Sequence, residues 1–279
     1  MTSISIICVS YYSLHLLEKT IQDLVDNIED EIEIIIVNNS SDENLNSLRS
    51  HTIKIITPEK NLGYGGGVNL GLRYAQYENI LIINPDIEVF KFNFPKQNGL
   101  FIAGGYRPDK PFGFKFPSLF KDTIGLLFTF LKKHTRSMIK CEPNEITRVD
   151  WVVGSLIATN KTTLERLGGF DESFFLFFEE VDFCKRADKL DIPVFITPGI
   201  VYEASTTRGK ASSIDVKWIK LRSERDSFQL YHAKHSSKFS SYKLLIKLFS
   251  LLFLFLLYFS PKNIKVSNAI KYHKHLREI

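Results

Sequence analysis

Cysteine is scarce in this sequence, with three residues among 279 and no C-x-x-C pair. That spacing argues against a disulfide framework and against a cysteine-ligated zinc site, and it fits a reducing compartment. The first residues, MTSISIICVSYYS, lack a basic segment followed by a long apolar run, so no secretory signal is visible. We therefore expect a protein that works inside the cell.

A strong excess of one charge is also missing, since 36 Lys and Arg face 31 Asp and Glu for a net charge of +5. This balance does not require nucleic acid, and we expect no nucleic-acid partner. It suits an anionic ligand or a lipid surface equally well. Hydrophobic residues make up 44% and charged residues 24%, which is typical of a folded chain rather than a disordered one.

One long apolar run lies near the end, from Leu244 to Phe259, and only Lys247 and Ser250 interrupt it. A helix of this length spans about 24 Å, which is short of the ~30 Å hydrocarbon core of a bilayer. Lysines flank the run, where they could meet anionic headgroups. Three interpretations stay open: a buried or dimer-interface helix, a peripheral membrane attachment, and a membrane span.

The first hundred residues alternate between apolar runs and helical patterns, which indicates βαβ units. The runs are ISIICVS, IEIIIVN, TIKIIT and NILIIN, with helices expected at 14–28, between the second and third runs, and at 68–76. Continuous Ile, Val and Leu are typical of strands buried on both faces of a parallel sheet. Polar clusters (SYYS, NNSSDEN and NPDIE) follow three runs, at the strand ends where such sheets bind ligands.

Four glycines fall within five positions in NLGYGGGVNLGL, residues 61–72. Glycine permits positive φ and a close approach of a ligand to the backbone. The dinucleotide fingerprint G-x-G-x-x-G fails because Val68 stands where its third glycine is needed, and no Gly-Lys-Ser/Thr of a P-loop is present. A nucleotide or sugar-phosphate loop is favoured over a purely structural turn.

Two further segments carry carboxylates. Asn84-Pro85-Asp86 ends a buried strand, and one carboxylate with oxygen ligands, water and a diphosphate is a normal way to hold Mg²⁺ or Mn²⁺, although the same tripeptide is also an ordinary turn. In SFFLFFEEVDF, residues 173–183, Glu179 and Asp182 share a helix face. Burial against phenylalanine would raise the pKa of a carboxylate towards that of a general base. The alternative is a helix start.

Taken in order, five segments resemble the family 2 glycosyltransferases with the GT-A fold, and most closely their bacterial rhamnosyltransferase-like branch. The segments are VSYYS (9–13), IIIVNNSSDEN (34–44), NLGYGGGVNLGL (61–72), LIINPDIEV (81–89) and the stretch from GSLIATN to ITPG (154–199). The resemblance covers roughly residues 3–210. It implies an α/β fold with a mostly parallel central sheet flanked by helices. Catalytic domain 1–215 would hold a donor half (1–90) and an acceptor half (91–215). A helical, membrane-associating region would follow at 216–279.

The resemblance also implies residue roles. Glu180 would deprotonate the acceptor hydroxyl, with Glu179 and Asp182 supporting it. Asp86 would bind Mg²⁺ or Mn²⁺, and Glu203 stands near the place of the family's metal-binding histidine. The implied donor-binding residues are Ser10, Tyr11, Tyr12, Asn38, Ser40, Asp42, Asn61, Gly63, Gly66, Asn69, Asn84 and Arg208.

Three positions depart from the family pattern. Asn38-Asn39 replaces Asp-Asn, so the acid that contacts the nucleobase becomes an amide. Glu180 replaces Asp, and the segment VYEASTTRGK, where the family often has a histidine, holds Glu203 and no histidine. We expect an inverting enzyme that moves rhamnose or another hexose from a dTDP- or UDP-sugar to a glycan or lipid-linked glycan in bacterial surface polysaccharide synthesis. It would act in the cytoplasm at the inner face of the membrane, and self-association stays open.

One other function class stays open beside this one, and two more are disfavoured. A non-catalytic nucleotide-sugar-binding subunit of a polysaccharide assembly complex would explain the missing acid and histidine. A sugar nucleotidyltransferase is disfavoured because a glycine-rich basic loop should follow the first strand, where SYYSLHLLEK stands. The failed fingerprint disfavours an NAD dehydrogenase still more.

Overall fold

The computed structural model describes residues 2–118, 137–204 and 214–236. The chain divides into two compact units, one of residues 1–116 with 138–227 and one of residues 117–137 with 228–279. The described residues of the candidate site lie in the first unit. The predicted apolar segment 244–259 and Arg208 lie outside the described residues. Within the described ranges, every helix is too short or too polar to cross a bilayer.

The amino-terminal half forms the predicted βαβ arrangement. Its elements are β1 (Ser3–Ser10), α1 (Leu14–Asn27), β2 (Glu31–Asn38), a 3₁₀ turn (Asn46–Leu48), β3 (Ile53–Ile56), α2 (Gly63–Leu72) and β4 (Asn79–Ile83). The four strands are parallel in the order β3-β2-β1-β4. Their apolar runs are buried, because the sheet has helices on its faces and needs apolar residues on both.

The second half completes the sheet with different pairings. Its elements are β5 (Ile87–Phe92), β6 (Ile102–Tyr106), β7 (Phe112–Phe114), β8 (Met138–Lys140), β9 (Thr147–Arg148), β10 (Leu156–Asn160), α3 (Lys161–Arg166), α4 (Glu179–Asp188), β11 (Val194–Ala204) and α5 (Ile214–His235). The order continues β4-β10-β6-β11-β5, with β9 beside β11, while β7 and β8 form a separate ribbon.

The prediction of a mostly parallel sheet needs correction, because the sheet is mixed. β10 runs antiparallel to both of its neighbours, β4 and β6, and β11 is antiparallel to β5 and β9. The apolar run of β10 is buried on both faces, and such a run fits a parallel and an antiparallel position equally well. Strand direction was therefore not readable from its composition.

Two predicted helices also differ from the structure. The helix expected at 68–76 is α2, which begins at Gly63, inside the glycine run, and ends at Leu72. It contacts β1 closely, since a Cβ on Gly71 would lie 2.6 Å from Cγ2 of Ile7. Between β2 and β3 only the short 3₁₀ turn forms, where a longer helix was expected.

Candidate active site

The ends of β1 and β2 bring several predicted donor-binding residues together. The backbone amide of Asn39 donates to the carbonyl of Ser10 at 2.8 Å, and the amide of Tyr12 donates to Oγ of Ser40 at 2.7 Å. Tyr12 adopts a φ of 49°, a left-handed conformation that is uncommon for residues other than glycine. Strain of this kind is often found at functional sites.

Tyr11 and Tyr12 present aromatic surface at this edge, being 51% and 52% exposed with ring centroids 4.7 Å apart. The Tyr12 hydroxyl donates to Oδ1 of Asp42 at 2.6 Å. This hydrogen bond is the main reason that the pKa of Tyr12 is raised to about 12. Tyr12 therefore remains a neutral donor near neutral pH, and its ring is held over the loop after β2.

The structure explains the amide at position 38. Asn38 donates from Nδ2 to the carbonyl of Glu43 at 2.8 Å, and its Oδ1 accepts from the amide of Ser40 at 3.0 Å. A carboxylate has no proton to donate, so an aspartate here would lose the first of these bonds. Asn38 thus orders the loop that carries Ser40 and Asp42.

Asn39, which the sequence did not single out, joins the strand ends to the glycine run. It donates from Nδ2 to the carbonyl of Gly63 at 2.9 Å, and its Oδ1 accepts from the amide of Leu62 at 3.3 Å. The predicted residue Asn61 accepts from the amide of Gly63 at 2.9 Å. The sequence signal for Asn39 was its position next to Asn38 in a polar cluster.

The glycines of α2 are buried against protein. Gly63 has a φ of 74°, and a Cβ there would lie 2.3 Å from the carbonyl oxygen of Phe175. A Cβ on Gly65 would lie 3.0 Å from Cβ of Phe170, and one on Gly66 would lie 3.0 Å from Cβ of Leu62. These contacts explain Gly63 and Gly65 by close packing on residues 170–175 and Gly66 by packing on Leu62. Donor contact by Gly63 and Gly66 stays a prediction.

Asn69 fastens the same helix to the segment after α3. Its Oδ1 accepts from the amide of Phe170 at 2.8 Å, and its Nδ2 donates to the carbonyl of Phe170 at 2.8 Å and to Glu172 at 3.0 Å. Asn69, which was predicted to bind the donor, therefore holds α2 against Phe170 and Glu172 in the structure.

The aromatic run before α4 has two different environments. Phe174 is buried in the core, whereas Phe175 is 42% exposed. Phe177 and Phe178 have φ angles of 69° and 65° directly before the first turn of the helix. Backbone strain therefore lies next to Glu179 and Glu180, and the phenylalanines of the run do not share one environment.

Glu179 is 5% exposed, and its Oε2 has no hydrogen-bond partner among the described residues. Burial raises the pKa of Glu179 well above its ordinary value, and the neighbouring Glu180 raises it further. Glu179 therefore favours its protonated form, because a second ionised carboxylate at this place would be buried and repelled.

Glu180 lies beside Gly154, where a Cβ would be 3.5 Å from Cβ of Glu180 and 3.6 Å from Cε1 of Tyr64. Tyr64 is a residue that sequence reasoning missed. Its hydroxyl donates to the carbonyl of Gly154, and its backbone amide donates to the carbonyl of Phe175 at 3.0 Å. Burial raises the pKa of Tyr64, as do the charges of Glu179 and Glu180. Tyr64 thus connects the donor half to the surroundings of Glu180.

Asp182 has a different role from the two glutamates. It is 0% exposed and accepts from Nε of Arg186 at 2.8 Å. Arg186 also donates to the backbone carbonyls of Leu167 and Gly169. The pair therefore anchors α4 to the end of α3, and a charge pair at i and i+4 was the sequence signal for it.

The turn after β4 places Asn84 and Asp86 near the same region. The amide of Asn84 donates to the carbonyl of Ser155 at 3.0 Å, and Oγ of Ser155 lies 3.2 Å from the hydroxyl of Tyr202. Burial raises the pKa values of Cys8 and Tyr202, and the Asp86 charge adds to both shifts. Asp86 is therefore close to β1 and β11 at the carboxyl end of β4.

Glu203 lies on β11, opposite Glu88 of β5. Glu88 in turn forms an ion pair with Lys19 of α1. Across residues 2–118, 137–204 and 214–236, no three acidic, histidine or cysteine side chains form a cluster that could hold a metal ion. The pairing of Asp86 with Glu203 as metal ligands stays a prediction.

Comparison with known proteins agrees with this geometry. Residues 5–106 match the family model described as "Glycosyl transferase family 2". The low-salt glycan biosynthesis hexosyltransferase Agl10 of Haloferax volcanii is 29% identical over 215 residues, which are 70% of this chain and 64% of that protein. The rhamnosyltransferase WbbL of Escherichia coli is 25% identical over 159 residues, 49% of this chain and 58% of that protein. The chain thus spans less than two thirds of either relative.

Solved structures support the fold. GalNAc-T7 with UDP, GalNAc and Mn²⁺ has a TM-score of 0.58 at 13% identity, covering 74% of this chain and 44% of that one. Residues 1–349 of S. aureus TarS with UDP-GlcNAc have a TM-score of 0.53 at 16% identity, covering 88% and 76%. The fold is therefore GT-A-like, with a mixed sheet and flanking helices. The predicted resemblance is confirmed: residues 5–106 match the family 2 glycosyltransferase model, and two glycosyltransferases are similar to longer parts of the chain.

Proposed function

We propose that this protein is an inverting glycosyltransferase that moves a hexose from a nucleoside-diphosphate donor to a glycan or lipid-linked glycan. One observation carries the proposal: the dipeptide Gly154-Ser155 contacts both halves of the site. Ser155 accepts from the amide of Asn84 in the strand-end turn, while Gly154 lies against Glu180. A donor at the strand ends and an acceptor beside Glu180 would therefore meet at this dipeptide.

The residues present fit a divalent cation of the Mg²⁺ or Mn²⁺ type. Asp86 supplies one carboxylate at a strand end beside the Asn84 amide, and such ions are commonly held by one or two carboxylates together with substrate phosphates and water. Asp86 would hold the ion, with Glu203 as the second candidate. When bound, the ion would stabilise the charge that develops on the leaving diphosphate.

Side chains of the protein itself would carry the remaining catalytic and positioning roles. Glu180 takes the proton from the attacking acceptor hydroxyl, and the hydroxyl displaces the diphosphate at the anomeric carbon in one step. Glu179 stays protonated because it is buried, so that the site carries one carboxylate charge next to the acceptor rather than two. Tyr64 and Asn39 hold the α2 side of the site against Gly154 and the strand ends.

The relatives support the choice of substrate. Agl10 is named a hexosyltransferase and WbbL a rhamnosyltransferase, which favours a hexose or deoxyhexose. The two structural neighbours were solved with UDP or UDP-GlcNAc, which favours a UDP- or dTDP-sugar. We further propose synthesis of a bacterial surface polysaccharide at the inner face of the cell membrane, with 244–259 as the contact to lipid. An assembly of identical chains is compatible with this proposal.

The test replaces Glu180 by Gln and uses Asp188→Asn on the exposed side of α4 as the matched control. Thermal unfolding with a panel of nucleotide-sugars, with and without Mn²⁺, identifies the donor, and radiolabelled sugar transfer measures turnover. We expect Glu180→Gln to lower turnover about 10²- to 10⁴-fold while donor stabilisation persists, because a general base contributes that much. Asp188→Asn should retain activity.

A specific outcome would contradict the proposal. If the unaltered chain is stabilised by a nucleotide-sugar but transfers sugar to no acceptor in a glycan and lipid-linked glycan panel, a nucleotide-sugar-binding subunit explains the site better. The amide at Asn38 and the lack of a histidine in VYEASTTRGK, residues 201–210, favour this second candidate.

A further inference from the structure

The two residues directly before α4 hold an unusual backbone conformation. Phe177 and Phe178 have φ angles of 69° and 65°, so two consecutive residues with bulky side chains are left-handed. Residues other than glycine, asparagine and aspartate rarely adopt this conformation, and then as single residues. Strain of this kind persists only where the surrounding structure imposes it. The contacts around this left-handed pair therefore show what holds Glu179 and Glu180 in place.

Helix α2 and the core hold the chain just before the left-handed pair. The backbone amide of Tyr64, in α2, donates to the carbonyl of Phe175 at 3.0 Å. Phe174 is 0% exposed, so its side chain fixes the chain one residue earlier. These contacts fix the chain as far as Phe175, two residues before the pair.

Helix α5 supplies the next contact along the chain. Ser227 donates from Oγ to the carbonyl of Leu176 at 2.9 Å. Ser227 is 4% exposed, so water does not compete for this hydrogen bond. A serine hydroxyl has a single proton to donate, and Leu176 receives it here. Ser227 is the last residue of the first unit, so the contact lies within that unit. A residue of α5 thus bonds the backbone directly before the left-handed pair.

The left-handed pair leads directly into the first turn of α4. The carbonyl of Phe178 accepts from the amide of Asp182 at 2.8 Å, which is the first hydrogen bond of the helix. Glu179 begins the helix, and Glu180 is its second residue. A change in the backbone angles of the pair would therefore reorient this first turn and move both carboxylates, because they follow it directly in the chain.

We infer that Ser227 is a positioning residue for Glu180: its hydrogen bond to Leu176 holds the left-handed pair and thereby sets where the Glu180 carboxylate lies. The inference rests on the proposed function, in which Glu180 is the general base. Ser227 acts through the backbone of residues 176–178 rather than by touching substrate. A displacement of about 1 Å can cost about 100-fold in rate, so a residue away from the chemistry can control turnover in this way.

The first test measures the conformation of this loop without requiring turnover. The amides of Tyr64 and Asp182 are both bonded to carbonyls of residues 175–178, so their hydrogen exchange is slow while the loop keeps its shape. In the full chain, we expect Ser227→Ala to speed exchange about fivefold in peptides that contain these amides, the factor expected for one lost hydrogen bond. The matched control is Ser223→Ala, which removes a hydroxyl one turn earlier on α5 and should leave this exchange unchanged.

The second test separates positioning from an effect on folding. Radiolabelled sugar transfer is measured in the unaltered chain, in Ser227→Ala, in Glu180→Gln and in the double variant. We expect Ser227→Ala to lower kcat about 10- to 100-fold with the donor KM unchanged, because the base is displaced and the donor site is not. In the Glu180→Gln chain the same change should lower kcat less than about twofold, since no base remains to be positioned.

The outcomes separate this inference from the proposed function. Faster exchange, together with a kcat loss that disappears in the Glu180→Gln chain, supports the inference. Equal kcat losses in both backgrounds overturn it, because Ser227 would then act on folding rather than on the base. Exchange that Ser227→Ala leaves unchanged also overturns it. If no donor gives transfer, the proposed function fails alone, and faster exchange still supports the hold of Ser227 on the left-handed pair.

Discussion

Gly63 is the residue of the glycine run for which the stability cost of a substitution follows most directly from the structure. Its φ of 74° is left-handed, and an added Cβ would lie 2.3 Å from the carbonyl oxygen of Phe175. Alanine in this conformation costs about 1–2 kcal/mol. The backbone of Phe175 must also move, which adds a further ~1–3 kcal/mol of the kind seen on overpacking. We therefore expect Gly63→Ala to lower the free energy of unfolding by about 3 kcal/mol.

Gly168 serves as the control for this substitution. Its φ is 71°, nearly the same as that of Gly63, but no atom lies within 4 Å of an added Cβ. Gly168→Ala should therefore show only the conformational cost of about 1–2 kcal/mol. The difference between the two variants measures the contact with Phe175 alone.

Urea unfolding of both variants, followed by circular dichroism, gives the two free energies if the slope m is unchanged. Equal losses of unfolding free energy in the two variants would refute the reasoning. They would show that displacing the backbone of Phe175 from α2 costs no free energy. In that case the glycine at position 63 would be explained by its backbone conformation or by a ligand. A loss confined to donor affinity, with stability retained, would favour the ligand.

Three other predictions follow from buried groups. Burial raises the pKa of Glu179, so the folded chain binds an extra proton above the unfolded pKa; its stability should fall with rising pH by up to about 1.4 kcal/mol per unit. Glu179→Gln should flatten that part of the urea-unfolding profile, and parallel profiles would contradict it. Arg186→Met should cost about 3–5 kcal/mol because the buried Asp182 loses its cation; Asp182→Asn in the same chain should recover part of that loss. Burial raises the pKa of Cys184 to about 12 and raises that of Cys8, so both thiols should react with a thiol reagent at pH 8 more than about tenfold faster in urea than in buffer.

The sequence by itself determined the parallel half of the sheet and the edge at which the site forms. Long runs of Ile and Val leave β1, β2 and β4 no solvated face, so they must lie inside a sheet covered on both sides. The polar residues after these runs then meet at one edge, which is why Ser10, Asn38 and Asn84 could be named in advance. The assignment of Glu180 as the general base came from family resemblance rather than from physical reasoning, and it stays a prediction.

Only the tertiary structure decided what the other residues contact. Asn39 bonds Gly63, Tyr64 bonds Gly154, and Arg186 bonds the backbone of Gly169, and no local pattern encodes the first two partners. The same holds for the glycine run: its composition allows a close approach, but a ligand and a neighbouring backbone satisfy that condition equally. In the structure the backbone next to Gly63 is that of Phe175. Packing α2 against the segment before α4 brings these two residues, more than a hundred positions apart, into contact.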